Sequence, residues 1–356
     1  MYLDTVTGKQ DIPRTELARF RNWESTANRD TKGEYYKKYY KQFPVGDFAS
    51  IEIFAERRFN EASIGFNASL PKFKYDNNVQ MLLPNDLEEI ADGISNLMTF
   101  YTGIDFDALN ARLSRADIAF NFQLMQDQVH RRIAASKLAT YSRKHTRVTD
   151  KEKGVASVYY GRENYHEIYL YSKHDETNLR VKERKASDVH LRNSIGILRL
   201  ENSRYARKLS QDAKRLGLPN ITLATFLDPR IAEDILIDDM KKLLLDRPIA
   251  GRDEREAQLE NYCGDDTAKF IRLLGFMHFI NENNEKRAVE KLGYHYTRRG
   301  KLELIEAGVW LSAENRLPLP ALATPNFEDF TLNLNADCGV GSNTLHQFAP
   351  VQTFIN

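Results

Sequence analysis

The order hairpin, helix, strand occurs twice between Phe48 and Tyr205, and this repetition constrains the fold more than any single motif. From Phe48, FASIEIFAERR alternates apolar and polar residues. A polar turn follows at Asn60 and Glu61, and ASIGFNASL alternates again, which predicts a hairpin. A helix comes next, capped by Asn85 or Asp86, with Glu88 and Glu89 in its first turn and an apolar stripe of Leu87, Ile90, Ile94, Leu97 and Met98. The strand LSRADIAFNF, Leu113 to Phe122, closes the unit. After a helix over residues 126 to 141 the order recurs as a hairpin over 155 to 174, a charged helical segment from Asp175 to Arg192, and the strand GILRLENSRY from Gly196 to Tyr205. Residue identity between the units is low, so the pattern repeats and the sequence does not. Such a chain builds an α/β (α+β) fold, a sheet with helices packed on it.

The flanks differ from this frame. Residues 1 to 47 are polar and irregular, with the run EYYKKYYKQF from Glu34 to Phe43. Lysines interleaved with tyrosines can line a nucleic-acid groove, but they also describe a solvated helix or edge strand, the more ordinary reading. Beyond Arg207 helix signals dominate: one run from Asp228-Pro229 through Leu245, another from Asp253, and an apolar helix capped by Asp265 or Asp266 and running through Phe279. Glu285 to Leu292 and Lys301 to Ala307 read as two short helices around the turn GYHYTRRG, which carries Arg298 and Arg299. That unit is either a helix-turn-helix or an ordinary helical pair. After Pro318 the tail reads as extended packing and a loose end. Two domains are expected, residues 1–208 built on the sheet and residues 209–356 mainly helical.

Composition excludes more than it selects. With 51 Lys plus Arg against 50 Asp plus Glu, net charge argues neither for nor against a polyanionic partner. Locally the balance fails: Arg131 to Lys153 holds eight basic residues, Arg143, Lys144 and Arg147 among them, against Asp150 and Glu152. Cys263 and Cys338 have no metal-ligand spacing, so a reducing cytoplasm is the expectation. No apolar signal core opens the chain, and no window approaches the roughly 20 apolar residues of a membrane helix, so no membrane partner is expected. Phosphate-loop, dinucleotide, serine-hydrolase and zincin motifs are missing, and the eight histidines form no H-hydrophobic-H pair.

What remains is tyrosine, carboxylate and basic residues on predicted strands. In a strand, residues two apart share a face, so Tyr169, Tyr171 and Lys173 project together and Leu170, Ser172 and His174 project oppositely. Arg115 with Asp117, and Arg199 with Glu201, stand two apart on matching strands. Carboxylates on such apolar strands must pair with a neighbouring arginine or bind metal, since desolvation otherwise costs several kcal/mol. Phosphoryl transfer on DNA uses these parts: a nucleophile, a hard cation on the phosphate, and positive groups to hold the charge. Oxygen ligands suit Mg²⁺ or Mn²⁺. A tyrosine, which titrates near pH 10, needs a neighbouring cation to ionise readily, and Lys173 is two residues from Tyr171.

The ordered set SRADIAF, IYLYSKHDE and LRLENSRY resembles the filamentous-phage gene II (gene II/X) replication-initiation proteins, rolling-circle initiators related to plasmid Rep proteins. Fainter similarity extends from IEIFAERRFNEASIGFNASLPK into the C-terminal helices. The resemblance implies a Rep-type, HUH-like nuclease sheet followed by a DNA-binding or accessory helical domain. It implies a metal-dependent nickase and strand transferase that cuts one strand of supercoiled origin DNA, holds the 5′ phosphate on tyrosine, leaves a 3′-OH, and later rejoins the displaced strand. Carried over by motif, Tyr171 is the nucleophile, Lys173 its cationic neighbour, and Asp117 with Glu201 the ligands of Mg²⁺ or Mn²⁺. Tyr160 is the second candidate nucleophile and His174 a third ligand, in a carboxylate-rich variant of the site. Arg115, Arg199, Arg143, Lys144, Arg147, Arg298 and Arg299 are the DNA-binding candidates. Host helicase and DNA polymerase are implied partners, in the host bacterial cytoplasm. The alternatives are a non-catalytic DNA-binding regulator, or a tyrosine transposase or relaxase.

Overall fold

The computed structural model of the chain describes residues 2–29, 35–58, 61–83, 85–140, 146–147, 157–243, 245–247, 250, 254–309 and 321–322. The strands among them are β1 (Leu3–Asp11), β2 (Glu24–Arg29), β3 (Tyr35–Pro44), β4 (Ser50–Arg58), β5 (Glu61–Ser69), β6 (Arg112–Gln123), β7 (Thr146–Arg147), β8 (Ser157–Arg162), β9 (His166–Ser172) and β10 (Ile197–Tyr205). The helices are α1 (Leu70–Tyr75), α2 (Asp86–Thr102), α3 (Gln126–Thr140), α4 (Lys173–Lys182), α5 (Asp188–Asn193), α6 (Ala206–Leu216), α7 (Pro229–Leu243), α8 (Arg255–Cys263), α9 (Thr267–Leu292) and α10 (Tyr294–Glu306). All ten of these strands join one sheet in the order β2-β3-β4-β5-β1-β6-β10-β9-β8-β7. Every neighbouring pair is antiparallel.

Alternation and register divide this sheet into two unlike faces. One face carries Ile53, Phe66, Val6, Ile118, Leu200 and Ile168, all buried, in a core completed by α2, α3, α6 and α7. The other carries Glu56, Lys9, Arg115, Asp117, Arg199, Glu201, Tyr169 and Tyr171, placed there by direct cross-strand pairing. The apolar stripe of α2 points inward as its spacing predicts, with Leu87, Ile90, Ala91, Ile94 and Met98 buried. α6 and α7 belong to the same core as the sheet, whereas α8, α9 and α10 gather around Leu273, Phe276 and Leu304.

Both predicted hairpin, helix, strand units are present. In the first, β4 and β5 pair and α2 leads to β6. In the second, β8 and β9 pair and α4 and α5 lead to β10.

Three expectations change. Residues 1 to 47, read as irregular, hold β1, β2 and β3, and β1 lies between β5 and β6 in the middle of the sheet. Its alternation was hidden by a bulge. Leu3 pairs with Ile118 and Val6 with Ala116, so Asp4 and Thr5 together oppose Asp117. Second, GYHYTRRG is not a turn between two short helices. α9 runs unbroken to Leu292, Gly293 alone breaks the path at φ 84°, and the remaining seven residues open α10. Third, Lys173 is not a strand residue. Ser172 caps α4, its hydroxyl accepting the Asp175 amide at 3.2 Å, so Lys173 is the first residue of that helix.

No helix among the described residues is long and apolar enough to cross a membrane.

Candidate functional site

The centre of the polar face is built by β6, β10 and β9, whose register sets Arg199 opposite Tyr171, Glu201 opposite Tyr169, and Ser203 between Asp117 and Glu167. Tyr171 donates its phenol to Glu201 Oε2 at 3.0 Å. Arg115 grips Asp117 with two parallel bonds, Nε to Oδ1 at 2.9 Å and an NH to Oδ2 at 2.7 Å, the strongest geometry for this pair. Arg199 behaves differently from its counterpart. Its Nε is 3.6 Å from Glu201, and its closest ionic partner is Asp4, supplied by the bulged segment of β1. A second arm of that guanidinium donates to the Asn78 carbonyl at 3.0 Å and to Asn121 at 3.2 Å.

Lys173 enters the same face from the first turn of α4. Its side chain is fully buried, its ammonium donates to Asn78 at 3.0 Å and Glu176 at 2.9 Å, and it stands 5.8 Å from the centre of the Tyr171 ring. Glu176 also pairs with Arg180 one turn further on. Thus the loop after α1 and the first turns of α4 close one end of the polar face over Tyr171.

Burial is the largest influence on each titratable group of the site, with neighbouring charges adding to it or opposing it. Burial, reinforced by Glu201, pushes the Asp117 carboxyl up to about 7 despite Arg115. Burial and then Asp4 raise Glu201, with Arg199 opposing. Burial and the Glu201 carboxylate hold the Tyr171 phenol well above its ordinary range, so Tyr171 rests protonated with a proton acceptor in contact. Burial lowers Lys173 to about 8 against the pull of Glu176. Burial works against ionised Glu176 too, yet Lys173 and Arg180 outweigh it and hold that carboxyl at about 2.

Beside this centre a second phenol group surrounds Glu167, which is buried. Tyr169 and Tyr205 donate to its Oε2 at 3.0 and 2.9 Å, and Tyr159 to its Oε1 at 3.4 Å.

The structure brings together Tyr171, Lys173, Asp117, Glu201, Arg115 and Arg199 and leaves the other described candidates elsewhere. Tyr160 pairs with Ile168 and packs on the apolar core, on the opposite face from Tyr171. His174 turns to the Leu191 carbonyl at 3.3 Å and the Ser194 hydroxyl at 3.4 Å, tying α4 to the end of α5. Arg147 is on edge strand β7, opposite Tyr159, while Arg143 and Lys144 lie outside the described residues. Arg298 and Arg299 are exposed on α10, Arg299 paired with Glu303 at 2.9 Å. Sequence reasoning missed Asp4, Asn78, Glu176 and Glu167. Glu176 had a readable signal, three residues beyond Lys173 on a helix. Asp4 and Asn78 had none, because they arrive from an irregular strand and a loop.

For a hard divalent cation, the donors are oxygen, and Asp117 and Glu201 are both raised, first by burial and then by a neighbouring carboxylate that a cation would offset, which fits. Among the described residues no three His, Cys, Asp or Glu side chains form a ready metal-binding group. Two protein carboxylates, with water or phosphate completing the shell, is the pattern Mg²⁺ accepts.

The fold and site together define a mixed α/β protein whose sheet presents tyrosine, carboxylate and guanidinium groups on one face, with a helical region at the C-terminus. The family model for the N-terminal part of the phage gene II replication-associated protein matches residues 21–219, more than half of the chain. The chain belongs to this family of phage replication initiators, which act on DNA. No curated protein and no solved structure matches it.

Proposed function

We propose that the polar face is an HUH-like nicking centre in which Tyr171 is the nucleophile of a site-specific, single-strand cleavage at a replication origin. The observation that carries this reading is the hydrogen bond from Tyr171 to Glu201 beside buried Asp117, Arg199 and Lys173 and half-buried Arg115. Tyr171 Oη attacks phosphorus, the P–O3′ bond breaks, and the strand's 5′ phosphate stays on the tyrosine while the 3′ oxygen leaves and takes up a proton. Glu201 accepts the phenolic proton. Arg115, with part of its guanidinium surface open, and Lys173 supply positive charge for the phosphate. Asp117 and Glu201 would hold Mg²⁺ or Mn²⁺, which when bound polarises the phosphoryl oxygen as a Lewis acid. The covalent bond conserves the energy for rejoining the displaced strand, and the free 3′-OH is a primer for host polymerase behind a host helicase. In this reading the sheet and the helices that share its core, α6 and α7 included, form the cutting unit, while α8, α9 and α10 help to hold origin DNA.

The test is incubation of supercoiled DNA bearing the cognate origin with protein and Mg²⁺. The wild type gives open circles, and Tyr171→Phe leaves the DNA supercoiled while retaining binding. Normal nicking by that variant, or by protein stripped of divalent cation, overturns the reading.

A further inference from the structure

The reverse face of the sheet carries a feature that the cutting centre does not use. At the β3–β4 pair, Lys37 stands directly opposite Arg57. Like charges in that position repel, and neither cation has a carboxylate partner among the described residues. Lys41 follows on the same face of β3, exposed, with its ammonium 5.4 Å from the centre of the Phe43 ring. Lys37 itself stands 4.6 Å from the centre of the Tyr39 ring.

The row ends on aromatic surface. Phe43 stacks on Tyr101 at 3.8 Å between centroids, and Tyr101 meets Phe100 edge-on at 5.0 Å. Phe100 is 79% exposed and Tyr101 40%, at the last turn of α2. Apolar rings this open are costly in water unless something covers them. From Lys37 to Phe43 the row covers six residue steps along the strand, about 20 Å. That length accommodates a few nucleotides of extended single strand.

We propose that this row, from Arg57 and Lys37 through Lys41 to Tyr101 and Phe100, is a track for single-stranded DNA. The uncompensated cations call for a polyanion. Exposed rings at the end of the row call for flat apolar faces, and unpaired bases offer both together whereas a duplex hides its base faces. The choice of DNA over RNA rests on the proposed nicking function, which releases a displaced strand. The track is on the opposite face of the sheet from Tyr171, so its occupancy does not require cleavage.

Trp23 reports on the track, being edge-on to Phe43 at 6.0 Å between centroids. In a full-length Trp310→Phe background, oligothymidylate of about 12 nucleotides quenches Trp23 fluorescence. Phe100→Ala weakens the titration about tenfold. Lys37→Glu weakens it further and lowers its salt dependence, yet leaves thermal stability equal or higher, because it replaces a repulsive cross-strand pair with an attractive one. A merely structural role for Lys37 would not separate binding from stability in this way. Oligouridylate binding as tightly as oligothymidylate would contradict the choice of DNA. Unchanged quenching in both variants, or no quenching by any oligonucleotide, overturns the track and leaves a protein partner as the occupant of Phe100. Tyr171→Phe keeps the quenching whether or not the nicking assignment holds, so the two proposals fail separately.

Discussion

The two hairpin, helix, strand units run in the same order and end in different topologies. In the second, β10 returns to pair directly with β9, so Tyr171 and Arg199 face each other with Glu201 one side chain away. In the first, β6 does not reach β5, because β1 lies between them. The hairpin of the first unit is therefore separated from its own closing strand, and Asp117 joins the chemistry of the second unit across β6–β10. A repeated order of elements did not produce two sites. Among the described residues it produced one candidate site, at the seam where β6 and β10 meet, with β1 contributing the Asp4 counter-charge from the other side.

Removing that counter-charge has the largest expected effect. Asp4→Ala leaves Arg199 buried at 1% side-chain exposure without its closest ionic partner, and a loss of about 3–5 kcal/mol is expected in urea unfolding. A loss within experimental error would mean that β1 is only a spacer.

Lys173 sharpens the account of the second unit by pH. Its folded value, about 8, lies below its ordinary 10.5. Between those values the unfolded chain binds more protons, so this group's contribution to stability rises with pH and is lost as pH falls back through about 8. Lys173→Met removes the trend, and the stability of wild type relative to this variant should rise by about 3 kcal/mol from pH 8 to 10.5. A constant difference over that range would show that Lys173 is not buried as described.

The insertion of β1 has its own weak point. A Cβ on Gly65 would lie 2.3 Å from the Gly8 carbonyl oxygen and 2.7 Å from the Phe54 ring. Gly65→Ala should therefore cost about 1–3 kcal/mol by forcing β1 and β5 apart, read as a lowered denaturation midpoint. An unchanged midpoint would mean that the β1–β5 contact is looser than the register implies.

These particulars also say what was legible beforehand. β6 and β10 were readable because SRADIAF and LRLEN alternate cleanly, and alternation alone put Arg115 with Asp117 and Arg199 with Glu201. It did not reveal that one arginine keeps its neighbour while the other turns to Asp4. β1 was hidden because a bulge puts two consecutive residues opposite one, which destroys the period of two. Tyr160 was a candidate by residue type and proximity, but the period of two from Tyr169 and Tyr171 across the β8–β9 register sends it to the core face. Lys173 reached the site by another route, since the Ser172 cap ends the strand two residues earlier than the hairpin pattern suggests. Non-local supply of Asp4 and Asn78 was beyond any spacing rule.

In the proposed cleavage Tyr171, and not Tyr169 two residues before it, carries the DNA. Tyr169 has its own carboxylate, Glu167, at the same 3.0 Å that separates Tyr171 from Glu201, so geometry at the phenol does not by itself exclude it. The direct measurement is to react the wild-type protein with origin DNA and Mg²⁺, digest the covalent complex with nuclease and protease, and locate the nucleotide-bearing tyrosine by mass spectrometry. A 5′-nucleotidyl adduct on Tyr171 is the expected result. An adduct on Tyr169, or complete cleavage with no adduct, would contradict the account.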